Sequence, residues 1–285
     1  MRVAILGTGK MGGAIAQRLN AEGHKLTLWN RTRKRAEALG VGHIAATPGE
    51  AVENAEVVIS ILTDADAIRA AYLGQGGAAS AARNQVFVEM STAGPDVIKE
   101  LQPAIERVGA KFVECPVLGS ISAVETGKGL LFAAGDDAAL ERARPVLEAL
   151  GEVRRIQDPV SAAKLKLIAN TILMGVSALA AEVLAASAAL GVDTEDVFWV
   201  LTRFAPALGV RRAGYVEHRY EPVTFALRDA AKDLRLAAEL FERAGAATPL
   251  TVKTKELFEK AAETAGELDL SAISMLYEKG SAKRS

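Results

Sequence analysis

The hydrophobic pattern divides the chain into two halves. In the first half, short runs of consecutive apolar residues alternate with longer amphipathic stretches, which predicts parallel strands buried on both faces and joined by helices. This alternation predicts a doubly wound, mostly parallel α/β sheet. The predicted strands span residues 3–6, 26–30, 57–61, 86–89, 111–114 and 130–134, and the predicted helices include residues 11–20, 33–39, 95–108 and 138–150.

The second half carries helical patterns alone. The strand pattern stops after residues 153–156, and a long apolar helix is predicted from about residue 161 to about residue 190. Helices are also predicted over residues 194–204, 225–244 and 248–265, with a short one after Asp269. We therefore predict a sheet-containing domain over residues 1–160 and an all-α domain over residues 161–285, of which residues 279–285 are expected to be disordered.

Composition and charge narrow the class of protein. The most apolar run, residues 167–181, is shorter than an ordinary membrane span and is bounded by Lys166 and Glu182, so a buried core helix is expected. A net charge of −1, from 34 basic and 35 acidic residues, argues against nucleic acid and anionic membranes as partners. The single cysteine, Cys115, excludes an internal disulfide and favours a reducing cytoplasm, and no signal peptide is expected because the sequence opens with a core strand.

A glycine-rich turn directly follows the first predicted strand. It reads Gly7-Thr8-Gly9-Lys10-Met11-Gly12 and opens the first helix. In such a turn the first glycine permits the tight bend, the second lets the backbone approach a pyrophosphate, and the third lets the helix pack on the strand. The helix N-terminus then offers unpaired N–H groups and a positive dipole end to the phosphates. Because strand, turn, helix and second strand follow at the expected spacing, the pattern predicts a dinucleotide site.

The end of the second predicted strand indicates which dinucleotide binds. An NAD site usually has Asp or Glu at this point, where the carboxylate binds the ribose 2′-hydroxyl. This chain has Asn30-Arg31-Thr32 instead. A guanidinium binds a 2′-phosphate through charge-assisted hydrogen bonds, whereas a carboxylate would repel it. We therefore predict NADP(H) as cofactor with Arg31 as the main phosphate ligand, while Lys34 and Arg35 are expected to be a solvated start of the next helix.

Five motifs along the chain are shared with a known enzyme family. They are the glycine turn with its methionine–glycine ending, Glu89-Met90-Ser91-Thr92, the stretch from Glu114 to Ser120 followed by Gly127, Lys166-Leu167-Ile168-Ala169-Asn170, and Phe225 through Lys232-Asp233-Leu234. In this order they resemble the β-hydroxyacid dehydrogenase family, relatives of 3-hydroxyisobutyrate dehydrogenase and of glyoxylate/succinic semialdehyde reductases. The resemblance implies an N-terminal Rossmann-type sheet and an all-α C-terminal domain, as in 6-phosphogluconate dehydrogenase. It also implies an NADP(H)-dependent oxidoreductase that acts on a small 3-hydroxy acid or the corresponding aldehyde acid.

The chemistry of carbonyl reduction requires an acid, because hydride transfer leaves an alkoxide that must be protonated. The resemblance implies that Lys166 has this role. Lys166 is expected to start an apolar helix, where desolvation would lower the pKa of its ammonium group. Asn170, four residues on, shares its helix face and is expected to hydrogen-bond the lysine or the substrate oxygen. Without the motif, Lys166 would be interpreted as a surface lysine, as Lys164 is.

The resemblance also assigns the remaining site residues. It implies cofactor contacts for Leu62, Thr92 and Lys232, and substrate contacts for Gly119, Ser120, Phe225 and Asp233 beside Lys166 and Asn170. From the residues alone, Thr92 could instead be a helix cap and Lys232 a solvated residue. Asp233 could orient Lys232, contact the substrate or form an exposed salt bridge. Cys115 is expected to pack as a small apolar residue, and no metal site is predicted.

One position departs from the family pattern and leaves the substrate open. Leu118 stands where the family usually has a serine that holds the substrate carboxylate, so one hydrogen-bond donor is lost. A semialdehyde or a glyoxylate-type acid is still expected. An imine reductase is the alternative enzyme, although those enzymes tend to have Asp or Tyr at the position of Lys166. A non-enzymatic dinucleotide-binding module is a third interpretation, and the long apolar helix predicts a homodimer or homotetramer.

Overall fold

The structure of the protein is a computed structural model that describes residues 1–278. The predicted disordered tail, residues 279–285, lies outside the described residues. The chain forms two compact units, Met1–Lys166 and the residues from Leu167 onward, so the division falls inside a helix.

The first unit is an α/β sheet flanked by helices. The strands of its described residues are β1 Arg2–Leu6, β2 Lys25–Trp29, β3 His43–Ile44, β4 Val57–Ser60, β5 Val86–Glu89, β6 Lys111–Glu114, β7 Val117–Leu118, β8 Gly129–Gly135 and β9 Gly151–Arg155. The helices are α1 Lys10–Ala21, α2 Arg33–Glu37, α3 Pro48–Val52, α4 Ala65–Leu73, α5 Ala78–Ala81, α6 Pro95–Arg107, α7 Ile121–Glu125, α8 Asp137–Leu150 and the start of α9 Pro159–Ala189.

The strand order confirms the predicted doubly wound sheet. It is β3-β2-β1-β4-β5-β6-β8-β7, with β9 paired to β8, and β1 to β6 are all parallel. The direction of winding reverses between β1 and β4, which is where ligands bind in open sheets of this kind. The glycine turn after β1 lies at this point.

The sheet is buried on both faces, which explains the uniform apolar runs. Every residue of β4 and β5 is buried. On one face, Ile5 belongs to the same apolar cluster as Ile15 of α1 and Leu147 of α8. The opposite face has its own cluster, which includes Tyr72 and Phe112.

The C-terminal edge of the sheet differs from the predicted pattern. The predicted strand 130–134 is the longer β8, which runs antiparallel to both β6 and β7. β7 was not predicted as a strand, and β9 was indicated only by the end of the strand pattern at residues 153–156. Four of the five residues of β9 are exposed, and the strand is held by backbone pairing to β8, so its apolar pattern is too weak to define the strand.

The second unit is helical over its described residues. It contains the remainder of α9, then α10 Thr194–Phe204, α11 Arg212–Glu217, α12 Leu227–Arg243, α13 Pro249–Ala265 and α14 Met275–Glu278, with 3₁₀ turns at Pro206–Arg211 and Leu270–Ser274. Its core includes Met174 of α9, Phe198 of α10, Tyr215 of α11, Leu234 of α12 and Phe258 of α13.

Helix α9 corrects one argument made from the sequence. The helix has 31 residues and includes an apolar 18-residue window, so by length and composition it could cross a membrane, although the run 167–181 considered above is shorter. A third of that window (33%) is buried inside the protein. One such helix is weak evidence for a membrane segment, because core helices of soluble proteins meet the same criteria.

Candidate active site

The glycine turn has the geometry that a dinucleotide requires. Gly7 has a φ of +100°, and a Cβ built on it would lie 2.2 Å from the carbonyl oxygen of Ile61. A Cβ on Gly12 would lie 2.0 Å from the Gly7 carbonyl oxygen, so helix and turn approach as closely as only glycine permits. A Cβ on Gly9 would meet nothing within 4 Å, which leaves open space above the backbone.

Thr8 and the start of α1 fit a phosphate group. The Thr8 side chain is buried, and its Oγ1 has no hydrogen-bond partner among the described residues. Helix α1 begins at Lys10 with no side-chain cap and no acidic residue in its first turn. A buried hydroxyl and uncapped N–H groups with no nearby carboxylate are the features that accept an anion at a helix N-terminus.

Asn30 organises the turn through hydrogen bonds of its own. Its Oδ1 accepts from the Thr8 backbone N–H at 3.0 Å, and its Nδ2 donates to the Thr32 carbonyl oxygen at 3.0 Å. The loops after β1 and β2 are therefore joined. Arg31, between the two bonded positions, is exposed and forms no ion pair with any residue that the structure describes, whereas Arg33 is paired with Glu37.

Leu62 lies beside the glycine turn and is hydrogen-bonded to Ser91, the residue before Thr92. The Leu62 Cδ2 would be 2.9 Å from a Cβ on Gly7, so this side chain covers the turn closely. The Leu62 N–H donates to Ser91 Oγ at 2.7 Å. Glu89, at the end of β5, binds Ser91 in turn. This buried network was not predicted from the sequence, although an acidic residue at the end of an apolar strand was a signal for it.

The predicted substrate-binding stretch forms a short strand and a helix cap. Leu118, on β7, is half-buried and belongs to neither apolar cluster of the sheet, whereas its neighbour Val117 belongs to one of them. Gly119 has a φ of +137°, which favours glycine. Ser120 caps α7, because its Oγ accepts from the Ala123 N–H at 3.2 Å. The Ser120 hydroxyl hydrogen remains available to a ligand.

Cys115, which precedes this stretch, is buried in the sheet. Burial raises the pKa of its thiol, and the nearby Glu114 raises it further. The thiol therefore stays protonated, which agrees with the expectation of a small apolar residue.

Helix α9 carries both predicted catalytic residues. It begins at Pro159, so Lys166 lies seven residues into the helix, and the expectation that Lys166 starts it was wrong. Lys166 is half-buried, while Lys164 is exposed, as predicted for the two side chains. Asn170 is 3% exposed, one turn further along.

Asn170 and Lys232 meet at a buried carboxylate. The Asn170 Nδ2 donates to Asp233 Oδ2 at 2.6 Å, and Lys232 Nζ lies 3.1 Å from Asp233 Oδ1. Asp233 is only 2% exposed, which rules out the exposed salt bridge considered above. Asp233 thus orients two predicted site residues at once. Phe225 precedes α12 rather than starting it, and its N–H donates to Asp269 Oδ2 at 3.2 Å.

Two family models match almost the whole chain. The model described as the NAD-binding domain of 6-phosphogluconate dehydrogenase matches residues 2–169. The model described as NAD-binding of NADP-dependent 3-hydroxyisobutyrate dehydrogenase matches residues 161–277.

Individual proteins are similar over the same length. Glyoxylate/succinic semialdehyde reductase 1 of Arabidopsis thaliana is 30% identical, over 96% of this chain and 97% of its own. Cytokine-like nuclear factor N-PAC of Danio rerio is 28% identical, over 97% of this chain but 62% of its own. A solved structure of 3-hydroxyisobutyrate dehydrogenase from Salmonella typhimurium is 25% identical with a TM-score of 0.86, covering 97% of this chain and 99% of its own. This chain therefore belongs to the β-hydroxyacid dehydrogenase family and is a nicotinamide-dinucleotide-dependent dehydrogenase or reductase of the 3-hydroxyisobutyrate dehydrogenase type.

Proposed function

We propose that this protein is an NADP(H)-dependent reductase of small aldehyde acids, of the semialdehyde or glyoxylate type, which also oxidises the corresponding hydroxy acids. The observation that carries the proposal is the buried Asp233, which holds Asn170 one helical turn from Lys166. The name of the relative from Arabidopsis thaliana supports the substrate class.

The first unit supplies the cofactor contacts in this proposal. The uncapped start of α1 and the Thr8 hydroxyl bind the diphosphate, and Leu62 and Thr92 contact the nicotinamide half. The exposed Arg31 binds the 2′-phosphate, and Lys232 is also proposed as a cofactor contact. The bound nicotinamide supplies or accepts the hydride.

Lys166 and Asn170 are responsible for proton transfer in this proposal. Lys166 donates a proton to the carbonyl oxygen during reduction and removes it during oxidation. Because the Asn170 Nδ2 is bound to Asp233, the Asn170 side chain is held in one orientation toward its ligand. Gly119 and Ser120 bind the substrate carboxylate, and Leu118 and Phe225 contact its apolar part.

Two alternative functions have less support. An imine reductase tends to have Asp or Tyr where this chain has Lys166, and only the apolar Leu118 favours it. A non-enzymatic role is raised by the similarity to nuclear factor N-PAC, of which this chain spans about three fifths (62%). A non-enzymatic role would not need the catalytic lysine and asparagine. This chain has both, as Lys166 and Asn170.

We further propose a cytoplasmic homodimer or homotetramer. Ile168, Ile172 and Leu179 lie along one side of α9 and are 41%, 63% and 56% exposed. Apolar side chains in a row on a long helix are typical of a surface that another subunit covers. Light scattering on the purified protein tests this proposal, and a monomer at micromolar concentration would contradict it.

The activity is tested by turnover with glyoxylate, succinic semialdehyde, 3-hydroxyisobutyrate and a cyclic imine. We expect turnover with an acid and none with the imine. Lys166→Met should lower turnover by about 10²–10⁴-fold, the usual contribution of a positioned acid–base group. Lys164→Met is the matched control, since it lies on the same helix and is exposed. Equal effects of the two substitutions, or turnover of the imine alone, would refute the proposed function.

A further inference from the structure

A buried chain of hydrogen bonds crosses the carboxyl ends of β4 and β5. Ser60 ends β4 and Glu89 ends β5, and both are fully buried at 0% exposure. Ser60 Oγ donates to Glu89 Oε2 at 2.5 Å. Because the Ser60 hydrogen is used in that bond, the buried Tyr72 hydroxyl, 2.5 Å from Ser60 Oγ, donates to Ser60. The order of donation therefore runs from Tyr72 through Ser60 to Glu89.

The same carboxylate continues into the loops that follow the two strands. Glu89 Oε1 accepts from the Ser91 backbone N–H at 2.7 Å. Ser91 Oγ in turn accepts from the Leu62 N–H at 2.7 Å. Two segments 29 residues apart in sequence are thus joined through Ser91, and Glu89 fixes the backbone of Ser91.

A second buried carboxyl, that of Glu114, lies beside Glu89. Glu114 pairs with Glu89 in register across β5 and β6, and its Oε2 has no hydrogen-bond partner among the described residues. Burial raises the pKa of Glu114 well above its usual range, and the charge of Glu89 adds to that. Burial also raises the pKa of Glu89, but hydrogen bonds from Ser60 and Ser91 favour its ionised form. Glu114 is therefore the more readily protonated of the two, and Glu89 is the carboxyl that accepts the hydrogen bonds of the network.

This network ends against the glycine turn. Leu62 packs over Gly7, with its Cδ2 2.9 Å from the position of a Cβ on that glycine. Thr92 directly follows Ser91. The three segments to which the proposed function assigns the diphosphate and the nicotinamide half are therefore joined through Leu62 and Ser91.

We propose that Glu89 is a positioning residue, which holds the Leu62 and Ser91–Thr92 loops in the arrangement that binds the nicotinamide half of the dinucleotide. This inference rests on the proposed cofactor function. A buried carboxylate is costly unless it is fully bonded, and apolar replacements of buried charges are often neutral or stabilising. Stability alone therefore does not explain a buried glutamate at this position, whereas its hydrogen bonds hold the Leu62 and Ser91 loops at fixed distances.

The test separates the two halves of the cofactor. Calorimetry measures the Kd of NADPH and of 2′,5′-ADP, which carries the adenosine end and the 2′-phosphate but no nicotinamide. If the wild type binds NADH more tightly than NADPH, the ligands are NADH in place of NADPH and ADP in place of 2′,5′-ADP. The variants are Glu89→Ala, Glu89→Gln and Ser91→Ala, which removes the acceptor for the Leu62 N–H. Phe87→Leu is the matched control, because Phe87 is buried on the same strand and its ring packs against the Tyr72 ring without taking part in the hydrogen bonds.

We expect Glu89→Ala and Ser91→Ala to raise the Kd of the dinucleotide by about tenfold, the loss of one hydrogen bond, and to leave the Kd of the adenosine fragment unchanged. Glu89→Gln should recover most of the affinity, since its amide oxygen still accepts from Ser91. Phe87→Leu should lower the melting temperature without changing either Kd. If Glu89→Ala does not fold, Ser91→Ala decides.

The inference would be overturned by equal changes in both Kd values or by no change in either. It would also be overturned if Phe87→Leu raised the dinucleotide Kd and left the fragment Kd unchanged. A wild type that binds neither dinucleotide refutes the proposed function itself. If the wild type binds and turns over the dinucleotide, but the variants do not change the dinucleotide Kd separately from the fragment Kd, only the role of Glu89 is refuted.

Discussion

Replacing Asp233 by Asn tests the buried cluster on which the proposed chemistry depends. Asp233 Oδ2 accepts a hydrogen bond from Asn170 Nδ2 at 2.6 Å, and Asp233 Oδ1 forms an ion pair with Lys232 Nζ at 3.1 Å. Asparagine has the same shape but only one acceptor oxygen. Asp233→Asn can therefore keep one of these contacts, and its amide N–H₂ group must face the other donor.

The structure sets the size of the effect. A hydrogen bond to a charged group contributes about 1.5–3 kcal/mol, which corresponds to a fall of about 3–12 °C in the melting temperature for a protein of roughly this size. The lower part of this range is expected because Lys232 is 22% exposed and water can partly replace the lost partner. Since Asn170 or Lys232 loses its fixed orientation, kcat/KM should fall by about tenfold or more.

Asp229→Asn is the matched control. Asp229 lies one turn earlier on α12, its side chain is 46% exposed, and its nearest cation, Arg228, is 3.8 Å away. It should change the free energy of unfolding by less than about 0.5 kcal/mol. The assays are thermal unfolding and NADPH oxidation. If Asp233→Asn matched Asp229→Asn in both, the view that the Asp233 charge orients the site would be wrong.

Three further outcomes are expected. Arg31→Ala should weaken NADPH binding by about 1.5–3 kcal/mol and NADH binding much less, and equal use of the two cofactors by the wild type would contradict this. Leu118→Ser should shift the ratio of kcat/KM values toward glyoxylate over a longer semialdehyde, by up to about 1–3 kcal/mol, and an unchanged ratio would mean that this side chain does not contact the substrate. Burial alone would raise the pKa of Asp269, but the Arg211 guanidinium and hydrogen bonds from neighbouring residues hold it below its usual value. Its stabilising effect is complete above about pH 4 and is lost as the pH falls through the folded pKa, so Asp269→Asn should lower the melting temperature at neutral pH and progressively less in acid. A difference that does not change with pH would refute this assignment.

The parts of the fold that could be predicted are those with a one-dimensional signature. Strands buried on both faces are uniformly apolar, and β1, β2, β4, β5 and β6 were predicted to within one residue at each end. Helices of eleven or more residues show a period, and α10 was predicted with its observed bounds. The short helices α3 and α7, of five residues each, span too few turns for a period to appear. The polar edge strand β9 is held by backbone hydrogen bonds, so the sequence indicated only its end, at residues 153–156.

The candidate site divides in the same way. The glycine turn is local, since its three glycines act within six residues, and its geometry follows from the sequence. The contacts that orient the chemistry are not local: Asn170 and Asp233 are 63 residues apart, and Ser60 and Glu89 are 29 residues apart. An acidic residue at the end of an apolar strand is nevertheless informative, because a buried carboxylate must be bonded or neutral. At Glu89 the hydrogen-bond donors come from the neighbouring strand and the following loop. At Glu114 burial raises the pKa instead, which favours the neutral carboxyl. The sequence can therefore indicate that such a group is constrained, but only the three-dimensional arrangement shows whether bonds or a proton satisfy it.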